Sequence, residues 1–204
     1  MAIPIETIKL LRQETGAGIL DCRKALDESG LDFDKALARL RELGMAAATK
    51  RADRPALQGV IEVYSHGDGQ IGVIVEINTE TDFTGKSQAF RSFAHEIALQ
   101  IAASHPQYVR DEDIPGEVIE AERQKAAKNA HDVGKSESLI PRIVEGSLKK
   151  YKDRNVLLRQ PYIRDESLSI EQLLNQLIAA VGENVIIRRF TRWQLEEEGS
   201  LRPA

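Results

Sequence analysis

His95-Glu96 opens with the spacing of a zinc-peptidase helix, in which two histidines four residues apart share one metal and the glutamate acts as base. Leu99 occupies the second histidine's place, so no metal site is expected. Gly85-Lys86-Ser87 has the letters that close a phosphate loop, but Glu80 stands where the loop's first glycine belongs. Gly16-Ala17-Gly18 and Gly67-Asp68-Gly69 lack the third glycine and the preceding strand of a dinucleotide-binding turn. The lone cysteine, Cys22, has no histidine near it in sequence and falls on a helical apolar stripe, where a thiol is usually a small apolar filler. No cofactor and no bond chemistry are expected. The chain reads as an interaction protein rather than an enzyme.

The stretch left to carry function is Asn78-Thr79-Glu80-Thr81-Asp82-Phe83-Thr84. It joins an apolar strand to a helix, and a junction loop held at both ends by packed elements is where functional side chains concentrate. A large ring beside a carboxylate suits insertion into another protein better than capture of a small molecule. The same residues admit a plainer role, with Phe83 a core residue at a helix start and Asp82 its N-terminal cap.

The elements that must position this stretch follow from periodicity. Ile5, Ile8 and Leu11 recur at three-residue spacing after Pro4, and the glycines at 16 and 18 end that helix. A second helix, about 19–29, buries Cys22, Ala25 and Leu26 and stops at Gly30; a third, capped by Asp32, carries Phe33, Ala36, Leu37 and Leu40. Three helices in about forty residues make a small docking module. Ile19 and Leu20 are neighbours on a helix and cannot share one face, so they are either a partner contact or packed under the glycine turn. Alanines 46–48 extend the third helix, and Lys50, Arg51, Arg54 and Pro55 mark a solvated linker, with a domain boundary near 55.

From Gly59 the period becomes two. Residues 60–65 and the face Ile71, Val73, Val75 and Ile77 form a hairpin about an Asp-Gly turn. Phe90, Phe93, Ala94, Ile97 and Ile101 then stripe a helix that is apolar on most sides and is expected between layers. Helices are expected over about 116–130, charge-rich with alternating signs, and over about 136–151, then a strand over 156–163 in which Pro161 is confined to an edge or to the strand's end. Ser169 starts a helix with stripe Ile170, Leu173, Leu177, Ala180 and Val181, closed by Gly182. A strand over 183–195 and an acidic tail complete the chain.

A chain of 204 residues allows one or two domains, and a net charge of -4 argues against nucleic acid as the main partner. Alternation along the last strand puts Arg188 and Arg192 on one side and Arg189 on the other, which dilutes any basic patch. One cysteine suits a reducing compartment; no leader precedes Ile5 and no apolar run reaches about 18 residues, so a cytoplasmic protein without membrane contact is expected.

Residues 15–26, Thr-Gly-Ala-Gly-Ile-Leu-Asp-Cys-Arg-Lys-Ala-Leu, and residues 76–83, Glu-Ile-Asn-Thr-Glu-Thr-Asp-Phe, resemble the two signatures of bacterial elongation factor Ts in order and separation. The likeness continues through 101–106, 144–146, 158–162 and 182–184. It implies a short-form member of α+β class, with a ubiquitin-associated-like three-helix domain and linker over 1–54 and a core and dimerisation domain of antiparallel β-strands packed with helices over 55–204. It further implies guanine nucleotide exchange on elongation factor Tu, GDP-bound and nucleotide-free, during translation elongation. By the family's pattern Thr81, Asp82, Phe83 and Thr84 enter the partner near its Mg²⁺ and nucleotide, while Arg12, Ile19 and Leu20 grip it from outside. Thr84-Gly85-Lys86 departs from the family's usual continuation, and a glycine there costs a helix about 1 kcal/mol. Longer members carry two related halves in the core where this chain has one, and so small a sheet is expected to be covered by a second copy. The competing classes are a helical adaptor, which would leave Asp82 and Phe83 without a role, and a ribosome-associated binding protein using the last strand's arginines.

Overall fold

The computed structural model describes residues 3–195, Ala47 by its backbone alone. The chain opens with α1 (Ile5–Thr15), α2 (Ile19–Glu28) and α3 (Phe33–Thr49). Pro4 precedes α1 in extended conformation, and Gly16 ends it at φ 67°, returning its N–H to the Arg12 carbonyl. The Asp32 carboxylate caps α3 by accepting from the Lys35 N–H at 3.1 Å. The three stripes meet in one cluster of Leu11, Cys22, Ala25, Leu26, Ala36 and Leu40. Ile8 packs on its margin, whereas Ile5, more than a turn before Leu11, lies outside it and is exposed. Burial pushes the Cys22 thiol up, in keeping with a filler.

The sheet is built from β1 (Gln58–His66), β2 (Ile71–Thr79) and the last strand of the chain, Val185–Gln194. All neighbours are antiparallel and β2 is central. Between them lie α4 (Asp82–Lys86), α5 (Gln88–Ser104), α6 (Gly116–Asp132), α7 (Ile140–Asn155), the short strands β3 (Pro161–Tyr162) and β4 (Asp165–Ser169), and α8 (Ile170–Val181), so the last strand is β5. Alternation puts Val73, Val75 and Ile77 of β2 on one buried face. On that side α5 buries Phe90, Phe93, Ala94, Ile97 and Ile101, as its stripe predicts. His95 Nδ1 lies 3.2 Å from Glu62 Oε1 of β1, and Arg192 Nε of β5 donates to the Ala102 carbonyl at 3.3 Å. The other face is open. Ile61, Val63, Ile74 and Trp193 stand there 63%, 67%, 36% and 57% exposed.

A bulge corrects the expected alternation of the arginines. Glu76 pairs with Arg189 and Ile77 with Ile187, so Arg188 has no residue opposite it. One extra residue resets the phase of the strand. Arg188 and Arg189 therefore both reach Glu76, at 3.7 and 2.7 Å, while Arg192 lies on the α5 side. The Arg189 hydrogen bond holds the Glu76 carboxyl below its ordinary range.

Two further expectations change. The strand expected over 156–163 is interrupted by a 3-10 turn, Leu157–Arg159; Val156 makes a lone parallel bridge with Tyr108, and Pro161–Tyr162 pair with β4. Arg159 is drawn out of any ladder by Asp111 at 3.0 Å and Asp153 at 2.8 Å, and Pro161 has no N–H to give one. In α8 the buried residues are Ile170, Leu174, Leu177 and Ile178, while Leu173 is half-buried and Ala180 exposed. A helix this apolar offers several stripes, and only its neighbours select one. The acidic tail after Leu195 lies outside the described residues.

Met1–Ala102 with Glu171–Ala204 form one compact unit and Ala103–Ile170 a second. In the second, α6 and α7 pack as a helical hairpin through Ala126, Ala130, Ile140 and Val144. In the first, the three-helix module meets α8: Gln176 Nε2 donates to the Glu14 carbonyl at 3.1 Å, and a Cβ on Gly16 would stand 3.4 Å from that of Ala180. A cavity of about 350 Å³ opens in this seam beside Arg41, Met45, Asn175 and Ala179.

Candidate functional site

The last three residues of β2, Ile77, Asn78 and Thr79, are all buried. The chain then turns out at Thr81. The expected junction loop is the single-turn helix α4, and its cap is Thr81 rather than Asp82. Thr81 keeps strand-like dihedrals, φ -123° and ψ 157°, and its hydroxyl accepts from the Thr84 N–H at 3.4 Å. Asp82 thereby becomes the first helical residue, where its negative charge favours the helix start and Lys86, four residues on, hydrogen-bonds it. That hydrogen bond holds the Asp82 carboxyl below its ordinary value of 3.8.

Phe83 follows on the outer side and is 82% exposed, which overturns its alternative role as a core residue. Thr84 and Gly85 face inward and are buried. A Cβ on Gly85 would make ordinary contacts, 3.5 Å from the Gly59 backbone, so the departure at this position leaves the turn intact.

The support beneath α4 comes from the corner between α8 and β5. Thr79 Oγ1 and the Thr81 N–H donate to Glu183 Oε2 at 2.9 and 3.0 Å, and Thr81 Oγ1 donates to Oε1 at 2.6 Å. Partial burial pushes the Glu183 carboxyl up, but the hydrogen bonds from Thr81, Thr84 and Thr79 outweigh it and leave the pKa below its ordinary 4.5. Beside it, the Asn184 N–H donates to Glu80 Oε1 at 2.6 Å, and Arg54 stands 3.5 Å from the same oxygen. Sequence reasoning gave no role to Glu183, Asn184 or Glu80. The available signals were their place in the stretches of family likeness, 76–83 and 182–184, and an acid and an amide directly after the helix-ending Gly182, none of which says what they reach.

The second group of candidates lies at the junction of α1 and α2. Arg12 stands exposed in the last turn of α1. Ile19 and Leu20 open α2 across the Gly16–Gly18 turn, 56% and 77% exposed, so packing under the turn is excluded for both. None of these three residues lines the seam cavity, and neither does any residue of α4. Among the described residues, no group of three His, Cys, Asp or Glu side chains is placed to hold a metal ion, and no helix is long and apolar enough to cross a membrane.

Fold and site together define a small α+β scaffold with an exposed aromatic ring on a capped turn and a separate exposed apolar pair. The family model for elongation factor Ts matches residues 34–197. Elongation factor Ts of Coprothermobacter proteolyticus is 49% identical over 97% of this chain and 100% of its own length. Those of Caldanaerobacter subterraneus and Carboxydothermus hydrogenoformans are 48% and 49% identical over 96% of this chain, covering 98% and 90% of theirs. The chain belongs to the elongation factor Ts family, and with it to the nucleotide exchange factors of translation elongation.

Proposed function

We propose that this protein promotes GDP release from elongation factor Tu in the cytoplasm, engaging it both GDP-bound and nucleotide-free. The observation that carries the reading is Phe83, a large apolar ring held out in solvent on a capped turn whose backbone is fixed from beneath. A GTPase holds GDP through phosphate contacts and a Mg²⁺ ion, so an exchange factor must bind the conformation in which those contacts are poor. Linkage then makes nucleotide and factor weaken each other by the same free energy. Phe83 is the wedge, Asp82 disturbs the metal side, and Thr81 and Thr84 hold the turn. No covalent bond changes. The test is to mix the protein, in amounts far below stoichiometric, with elongation factor Tu carrying fluorescent GDP and excess unlabelled nucleotide. Accelerated release is expected; release at the spontaneous rate would end this reading.

Arg12, Ile19 and Leu20 form the second contact, on the module of residues 1–54. Changing Ile19 and Leu20 together to serine should weaken binding to nucleotide-free elongation factor Tu at least about tenfold, since each apolar side chain buried on binding is worth about 1.5–3 kcal/mol. Both are exposed in the free protein, so its melting temperature should stay within about 2 °C. Unchanged affinity measured by titration calorimetry would remove the pair from the interface.

The core of residues 55–204 assembles as a homodimer through the open sheet face. The sequence placed the need for cover at the sheet's edges, but Val73, Val75 and Ile77 are already covered by the chain itself. The uncovered apolar surface is the opposite face, Ile61, Val63, Ile74 and Trp193, with Glu76, Arg188 and Arg189 on the same side. A patch carrying apolar centre and both signs of charge is able to complement its own two-fold copy. Light scattering should give twice the mass of one chain, and Ile61→Lys with Val63→Lys should halve it. A single-chain mass for the unaltered protein at tens of micromolar would refute the dimer.

A further inference from the structure

Residues 182–184 occupy the corner where α8 passes into β5; the Gly182 N–H closes the helix on the Ile178 carbonyl at 3.0 Å, and the side chains of Glu183 and Asn184 reach across long stretches of sequence. Glu183 takes three donors from the end of β2 and the cap of α4, at 2.6–3.0 Å. Asn184, 2% exposed, donates through its side chain to the carbonyls of Ala52 and Arg54 at 3.2 and 2.8 Å. The Gly182 carbonyl accepts from Arg51 Nε at 3.1 Å. Glu80 closes the group by receiving the Asn184 N–H and facing Arg54. Three consecutive residues thus bind both the segment that follows the three-helix module and the turn that bears Phe83.

We propose that this corner is a positioning hub for nucleotide exchange, with Glu183 as the positioning residue that fixes the Asp82–Phe83 turn, and Asn184 tying the same corner to residues 52–54. The proposal rests on the reading of the turn as the element that acts on the partner. A five-residue helix has too few internal hydrogen bonds to hold one pose in water, so its orientation must come from outside. Glu183 supplies it with a carboxylate that accepts from a backbone N–H as well as from hydroxyls, and charge-assisted bonds of that kind are the stronger class. Neither oxygen of Glu183 reaches the exposed ring. The residue acts through the backbone that carries the ring, and the two partner contacts are set in one fixed relation because 182–184 holds a backbone segment leading to each.

Glu183→Ala, Glu183→Gln and Glu183→Asp test the hub in the full chain by two readouts. Amide hydrogen exchange over residues 81–85 should accelerate about tenfold in the alanine variant while that of Val73 and Val75 in β2 stays unchanged. The maximal rate of fluorescent GDP release at saturating protein should fall by about tenfold, with a smaller change in the concentration giving half that rate. Glutamine keeps one accepting oxygen and can turn its amide to the Thr81 hydroxyl, so it should restore most of both. Aspartate keeps the charge but withdraws the oxygens by one methylene and should resemble alanine; it carries the test if the alanine variant does not fold. Unaltered exchange at 81–85 would overturn the hub. So would unaltered release by Glu183→Ala under conditions where Phe83→Ala slows it, an outcome that leaves the reading of the turn standing. If neither variant slows release, the reading of the turn falls and the hub with it.

Discussion

Phe83→Ala is expected to slow GDP release from elongation factor Tu by about ten- to hundredfold without lowering the melting temperature of the protein. The size follows from burial: a phenylalanine side chain moved from water into a partner gains about 1.5–3 kcal/mol, and each 1.4 kcal/mol is a factor of ten. Stability is spared because the ring is 82% exposed in the free protein and supports nothing there. Thr81, Thr84 and Glu183 hold the turn whether or not the ring is present. Leucine at 83 should recover part of the loss, since it restores apolar area but not the flat shape of a wedge. Asp82→Ala should have a smaller effect, for its carboxylate is solvated and paired with Lys86 in the free protein. Stopped-flow release with matched thermal melts decides the matter; full-rate release by a well-folded Phe83→Ala would take the ring out of the mechanism.

The largest effect on stability is expected from a residue with no side chain. Gly59 sits at φ 142° at the start of β1, and a Cβ built on it would stand 2.1 Å from the Ile77 carbonyl oxygen and 2.8 Å from Asn78 Cα. These are backbone atoms of the central strand, so no side chain can swing away to make room. Strained dihedrals cost about 1–3 kcal/mol and overpacking about as much again, and at about 2–4 °C per kcal/mol they should together lower the melting temperature by roughly 4–24 °C on Gly59→Ala. Gly85→Ala is the matched control. A Cβ added there would stand at an ordinary van der Waals distance of 3.5 Å from the Gly59 backbone, and alanine is the better helix former by about 1 kcal/mol. Gly85→Ala should therefore melt at or above the unaltered protein. A Gly59→Ala protein as stable as its parent would mean that β1 slides along β2 freely, against the continuous pairing from Gln58 with Thr79 to His66 with Ile71.

Local pattern carried much of the architecture. Helix limits at Gly16, Asp32 and Gly182, the hairpin, and the α5 stripe were legible because each depends on residues within a turn or two of one another. The α+β class came with the family likeness, which rests on the order and separation of the two signatures. The candidate residues were legible as types and places too. Sequence put an aromatic ring and a carboxylate at a strand-to-helix junction, and two adjacent apolar residues at a helix start.

Which of the open alternatives held was decided by tertiary structure. Nothing within seven residues of Phe83 says whether its ring turns inward; the answer is set by Glu183, a hundred residues on, which seats Thr81 so that Thr84 and Gly85 take the inner side. The bulge opposite Glu76 is likewise a property of a pair of strands, and it alone puts Arg188 and Arg189 together. The α8 stripe shifted because several faces of that helix are apolar and the choice belongs to what packs against it. The same holds for the sheet: alternation in β1 and β2 names two faces, but only the placement of α5 leaves Ile61, Val63, Ile74 and Trp193 in solvent. Periodicity is a one-dimensional property and fixes which residues share a face. The side on which that face meets another element is fixed by long-range contacts, and sequence order does not encode these locally.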